Sequence, residues 1–177
     1  MDFSFLSKYY SFFTNGAKYT IILAFFTVVI GTILGLLLSL MKLSKNKILK
    51  YIAVSYIEFI RGTPVLVQLY IIYYGLPTIG IKFPEVPILG SNFPDFFAGI
   101  LALSINSGAY VAEIIRAGIQ AVDKGQMEAA RSLGMSESMA MKNVIIPQAF
   151  KNILPALGNE FITIIKESSI VSIIGIH

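Results

Sequence analysis

The sequence predicts an all-α polytopic membrane protein, and three observations carry that prediction. Of its 177 residues, 55% are hydrophobic and only 14% charged, against roughly a quarter charged in soluble globular domains. Several uncharged runs approach or exceed the ~20 residues a helix needs to cross the hydrocarbon core. The basic residues fall mainly between those runs, as in a chain oriented by positive charge on the cytoplasmic side. The same composition narrows the chemistry. Without Cys there is no disulfide framework or thiolate, and a lone His, at position 177, argues against a histidine triad or a zinc site. No metal and no cofactor are implied. The net charge of +4 is read as topological rather than as a nucleic-acid footprint.

The first span is predicted over 19–41, where Tyr19 to Met41 are uncharged between Lys18 and Lys42. Its length argues against a cleaved signal peptide. Gly31, Gly35 and Ser39 recur every four residues, a stripe that admits another backbone closely, either a helix of the same chain or a second copy. The second span is predicted over 59–81. Thr63-Pro64 resembles an N-cap followed by proline at the first helical position, so a break is expected there. Glu58 with Arg61, and Glu113 with Arg116, are spaced i, i+3 and suggest local ion pairs. Leu76 to Asp95 holds four of the seven prolines and reads as an irregular external loop. The third span is predicted over 96–115, uncharged until Glu113. The fourth, over 152–174, is interrupted by Asn159, Glu160, Lys166 and Glu167.

Segment 116–151 is the longest polar stretch. Asp123 with Gln126 resembles a capping pair opening a helix at Lys124, Gly134 suits the left-handed residue that ends it, and Ser136 caps a second helix that reaches Pro147. A hairpin lying on lipid is the competing interpretation. Nine basic residues fall in the 42–50 and 116–151 segments, against Lys8, Lys18 and Lys82 on the other side. The positive-inside rule therefore places both basic segments in the cytoplasm, and the N-terminus, the Pro-rich loop and His177 outside.

The run EAARSLGMSESMAMKNVIIP, Glu128 to Pro147, resembles the Glu-Ala-Ala loop of membrane-spanning subunits of binding-protein-dependent ABC importers. The stretches EFIRGTPVLVQLYIIYYGLP, SINSGAYVAEIIRAGIQAVDKGQMEAARSLG and ALGNEFITIIKESSIVSIIG narrow the resemblance to permeases for polar amino acids. The resemblance implies a bacterial inner-membrane permease of the type I importer fold, paired with a second permease subunit. It also implies an extracytoplasmic amino-acid-binding protein and separate cytoplasmic ABC ATPase subunits that hydrolyse ATP. Consistently, this chain has no G-x-x-x-x-G-K-[ST] loop. Glu128, Ala129, Ala130 and Gly134 are then expected to dock the ATPase. Members of the family usually continue through a fifth span beyond Ser168 to Gly175, so the resemblance implies a fragment or a truncated variant.

Two polar stripes are candidates for a substrate pocket. Asn106, Tyr110 and Glu113 share a face of the third span, with Ser107 beside them. Asn159, Thr163 and Lys166, with the adjacent Glu160 and Glu167, mark the fourth. An amino acid presents an ammonium and a carboxylate, and these residues supply acceptors and donors for both. Interhelical hydrogen bonds are the structural alternative. A membrane scaffold or sensor that recruits a partner through 123–147 is the alternative function, and an intramembrane enzyme is a distant third. The clusters Tyr9-Tyr10, Phe12-Phe13, Tyr70 and Tyr73-Tyr74 are expected to anchor the interfaces.

Overall fold

A computed structural model describes residues 9–85 and 92–174. Lys8, His177 and residues 86–91 of the expected outer loop lie outside the described residues. All regular structure among the described residues is helical. The helices are α1 (Tyr10–Leu43), α2 (Lys47–Arg61), α3 (Val65–Thr78), α4 (Phe93–Gln120), α5 (Lys124–Ser132), α6 (Glu137–Ala140) and α7 (Ile146–Val171).

Among the described residues, α1 and α4 are long and apolar enough to cross a membrane, and α2 with α3 forms a pair bent by 105° that makes up to a third span. The expectation of four spans is thus met only in part. Helix α7 has 26 residues and the length to cross at ~1.5 Å per residue. Its composition does not match α1 or α4, because Asn159, Glu160, Lys166 and Glu167 lie along it.

Helices α1 and α4 make the central contact of the fold. A Cβ added at Gly31 would lie 2.8 Å from Ser107 Oγ, and one at Gly35 would lie 2.6 Å from Val111 Cβ and 3.0 Å from the Ala112 backbone nitrogen. With Ser39 also buried, the small-residue stripe seats a helix of the same chain. Beyond this seam Leu23, Ala24, Leu69, Ala98, Ala102, Leu103, Ile164 and Val171 form one core drawn from α1, α3, α4 and α7. The opposite face of α1 exposes Phe25, Ile33, Leu37 and Leu40, as a lipid-facing surface requires.

Local chemistry sets the helix ends. Asn46 caps α2, its side chain accepting from the Ile48 and Leu49 amides at 2.9 and 3.4 Å. The break expected in the second run falls at Gly62–Pro64, one residue later than the capping pattern indicated. Pro64, whose ring has no acceptor, stands at the N-cap without a side-chain bond, and the Thr63 hydroxyl donates back to Phe59 O at 3.0 Å. The third run starts at Phe93 rather than Phe96, so Phe93–Asp95 belong to α4 and not to the loop. Tyr73 fastens α3 to that start, donating to Asp95 Oδ1 at 2.8 Å. Tyr73 is therefore a packing contact as well as an aromatic of the expected belt.

The polar segment folds as helix, glycine turn and helix. Asp123 caps α5, accepting from the Gly125 amide at 2.7 Å. Gln126 does not complete the box; its Oε1 accepts from Gln148 Nε2 at 3.2 Å, tying α5 to α7. Gly134 has φ +85°. The Gly134 amide donates to Arg131 O and the Met135 amide to Ala130 O, at 3.0 and 3.1 Å, the paired bonds of a Schellman turn. Ser136 caps α6, accepting from the Met139 amide. No break follows at 151/152: α6 passes through a π-helical turn, Met141–Ile145, straight into α7. A second π-helical turn, Ile71–Gly75, lies within α3. Each ends two residues before a proline, Pro77 or Pro147, where the wider turn accommodates a ring that would press on the carbonyl four residues back.

Gly35→Val is expected to force α1 from α4, costing about 1–3 kcal/mol. It should lower the thermal unfolding temperature of the purified protein, whereas Gly16→Ala, with no atom within 4 Å of its added Cβ, leaves that temperature unchanged or slightly raised.

Candidate site between α4 and α7

Helix α4 presents its polar residues to three different partners. Ser107, 1% exposed, donates to Glu160 Oε1 on α7 at 2.9 Å. This bond joins the two predicted stripes and places a half-buried carboxylate between the helices. Asn106, also buried, turns elsewhere: its Nδ2 donates to Gln68 Oε1 on α3 at 3.0 Å. The Gln68 amide in turn donates to the Ile60 carbonyl at 2.8 Å, the Thr63 carbonyl at 3.1 Å and the Thr63 hydroxyl at 2.8 Å. These bonds satisfy carbonyls freed where the second run breaks, as backbone at membrane depth requires.

Glu113 is taken up by cations. Lys42 at the end of α1 bonds to its Oε1, and Arg116 reaches Oε2 from Nε at 2.7 Å. The i, i+3 pairing with Arg116 follows the sequence expectation, while Lys42, 71 residues away, adds a link between helices. Glu58 and Arg61 behave otherwise. No ion pair joins them among the described residues, and the Arg61 guanidinium lies over the Tyr110 ring, 5.3 Å from its centroid.

On α7, Asn159 and Lys166 are exposed, and Glu160, Thr163 and Glu167 are half-buried. The Thr163 hydroxyl donates to the Asn159 carbonyl at 3.1 Å, a bond within the helix. The structure thus brings Ser107 and Glu160 together, sends Asn106 to the α2–α3 break and gives Glu113 an ion network. A cleft of about 310 Å³ opens farther along α7, lined by Tyr19, Thr20, Phe96, Ser168, Ser169 and Ser172 among others. Sequence reasoning singled out none of these six for binding. It also missed Gln68, whose uncharged polar head inside an apolar run was the available signal.

The docking residues lie on α5 and the turn after it. Glu128 and Ala129 are exposed, Ala130 is buried and Gly134 is exposed in its left-handed turn. Leu133, 83% exposed, and Met139 add apolar surface beside them.

The family described as "Binding-protein-dependent transport system inner membrane component" matches residues 28–176. The chain belongs to that family. This permease is similar to the arginine transport system permease protein ArtQ of Bacillus subtilis, 46% identical over 99% of this chain and 76% of ArtQ. It is also similar to the putative glutamine transport system permease protein GlnP of Rickettsia conorii, 44% identical over 98% of this chain and 77% of that protein. A solved structure described as "Crystal structure of an amino acid ABC transporter with histidines" superposes with a TM-score of 0.91 at 58% identity, covering 99% of this chain and 78% of that one. Family membership makes the protein an inner-membrane component of a binding-protein-dependent transport system.

Removing Glu113 leaves Lys42 and Arg116 without their carboxylate, and removing Lys42 leaves Glu113 with Arg116 alone. Lys42→Ala and Glu113→Gln are each expected to destabilise the permease by about 1–3 kcal/mol, and the double variant by less than their sum. Thermal unfolding of all four proteins checks this through the coupling energy.

Proposed function

We propose that the permease forms, with a second permease subunit, the translocation pathway of an ATP-driven amino-acid importer, and that the region around Glu160 holds the amino acid during passage. The Ser107–Glu160 bond carries this reading. A carboxylate inside a helix bundle is costly unless paired or facing a wet cavity, and a single hydroxyl satisfies only part of its capacity. A substrate ammonium supplies the rest. Asn159, Thr163, Lys166 and Glu167 on α7 and Tyr110 on α4 offer further polar contacts nearby in sequence. The names of the relatives, arginine and glutamine transport proteins, support a polar amino acid as cargo. Asn106 and Glu113 are assigned to holding the helices.

Helix α5, Gly134 and α6 form the docking device for cytoplasmic ABC ATPase subunits, with α7 crossing the membrane as the fourth span. Exposed Leu133 and Met139 give a partner groove an apolar grip, and Glu128 offers it a charge-assisted contact. Since α6 continues into α7 without a break, displacement of the docked turn moves the helix that bears Glu160. An extracytoplasmic amino-acid-binding protein delivers the substrate to the opposite side.

In proteoliposomes containing the permease with its ATPase and binding protein, Glu160→Gln and Asn159→Ala are expected to weaken the apparent affinity for amino acid by about tenfold or more. Substrate-stimulated ATP hydrolysis should fall with uptake. Normal affinity in both variants sinks the site assignment.

Gly134→Val places a β-branched residue at φ +85°, a strain of about 1–3 kcal/mol. The variant is expected to remain in the membrane but to lose co-purification with the ATPase. Undiminished co-purification contradicts docking at this turn.

A further inference from the structure

Helix α2 ends in a cation without a carboxylate. Arg61 is exposed, makes no ion pair among the described residues, and rests on Tyr110. An arginine within a membrane-spanning run is costly unless it meets water or an anion.

Its place is closely determined. The carbonyl of the preceding residue, Ile60, is held by Gln68, which is held by Asn106 of α4. One turn earlier on α2, the Tyr56 hydroxyl donates to the Ile105 carbonyl of α4 at 2.8 Å. Residues 105 and 106 thus fix the end of α2 one turn before Tyr110, which receives the guanidinium. Ser107 and Tyr110 lie three residues apart, a rise of about 4.5 Å on neighbouring positions of the helix surface. Ser107 holds the Glu160 carboxylate and Tyr110 holds the Arg61 guanidinium. The α4 residues that hold the anion of α7 and the cation of α2 therefore lie within one turn of each other.

We propose that Arg61, seated on Tyr110, takes the α-carboxylate of the amino acid while Glu160 takes its α-ammonium. This deepens the reading given under Proposed function and rests on it. The planar guanidinium can lie on the ring while its edge donates two parallel bonds to a carboxylate. Paired opposite charges match the head group common to all free amino acids. The site then recognises that head group and leaves side-chain selection to other contacts. Amino-acid esters and amines lacking the carboxylate are rejected at Arg61.

The test uses the permease assembled with its ATPase, as wild type, R61Q and R61K. Binding of radiolabelled L-arginine, L-glutamine and L-histidine is measured, with the corresponding methyl esters as competitors. The wild type is expected to prefer acid over ester by about tenfold or more. R61Q should lose about tenfold to a hundredfold in affinity for the acid while its affinity for the ester stays within about twofold. R61K, which keeps the charge but not the fork, falls between, and is the variant to compare if R61Q does not assemble. A wild-type preference for the acid retained in the substituted complex overturns the proposal. So does an equal loss for acid and ester, which marks a structural role. A wild-type complex that binds none of the three amino acids defeats the site reading itself, and this inference with it.

Discussion

The close seating of α1 on α4 is the constraint from which the rest of the structure follows. Gly31 and Gly35 leave no room for a side chain against Ser107 and Val111. In an apolar solvent such contact supplies packing that hydrophobicity alone does not. That seam fixes the rotation of α4 about its axis. With α4 so turned, Ser107 meets Glu160 of α7, Asn106 meets Gln68 of α3, and Glu113 meets Lys42 at the end of α1. One helix thus distributes three polar contacts to three neighbours within about two turns.

The polar contacts differ in what they do for the bundle. Gln68 and Asn106 repair the backbone where the second run breaks, and a bend of 105° at membrane depth depends on such repair. The Lys42–Glu113–Arg116 cluster shares one carboxylate between two cations and ties α1 to the part of α4 that leads into α5. Glu160, unlike Glu113, is met by a hydroxyl and by no cation among the described residues. Polar groups that complete one another need no substrate, whereas one left partly satisfied invites it.

Much of this was legible in the sequence, and the misses have a common physical origin. The Gly31–Gly35–Ser39 stripe, the break near Thr63-Pro64, the cap at Ser136 and the left-handed Gly134 rest on local backbone chemistry, which a short stretch of sequence specifies. Periodicity also showed which residues share a face of α4. It could not show what faces them. Asn106 and Glu113 lie on the stripe with Tyr110, yet their partners come from positions 38 and 71 residues away. The Glu58–Arg61 spacing allowed a pair, but the ring of Tyr110 competes for the guanidinium. The continuity across 151/152 was missed because a polar segment ending near a proline suggested a stop, while the π-helical turn ahead of Pro147 lets the helix continue.

Continuity from α6 into α7 joins the segment that follows the candidate docking turn to the helix that bears Glu160, and the central proposal is an amino-acid site within the membrane subunit itself. Equilibrium binding of radiolabelled L-arginine, L-glutamine and L-histidine to the detergent-solubilised permease–ATPase complex, with no binding protein added, tests this most directly. The account predicts saturable binding of at least one of them, displaced by excess unlabelled amino acid. Binding that appears only when the extracytoplasmic protein is present would contradict it.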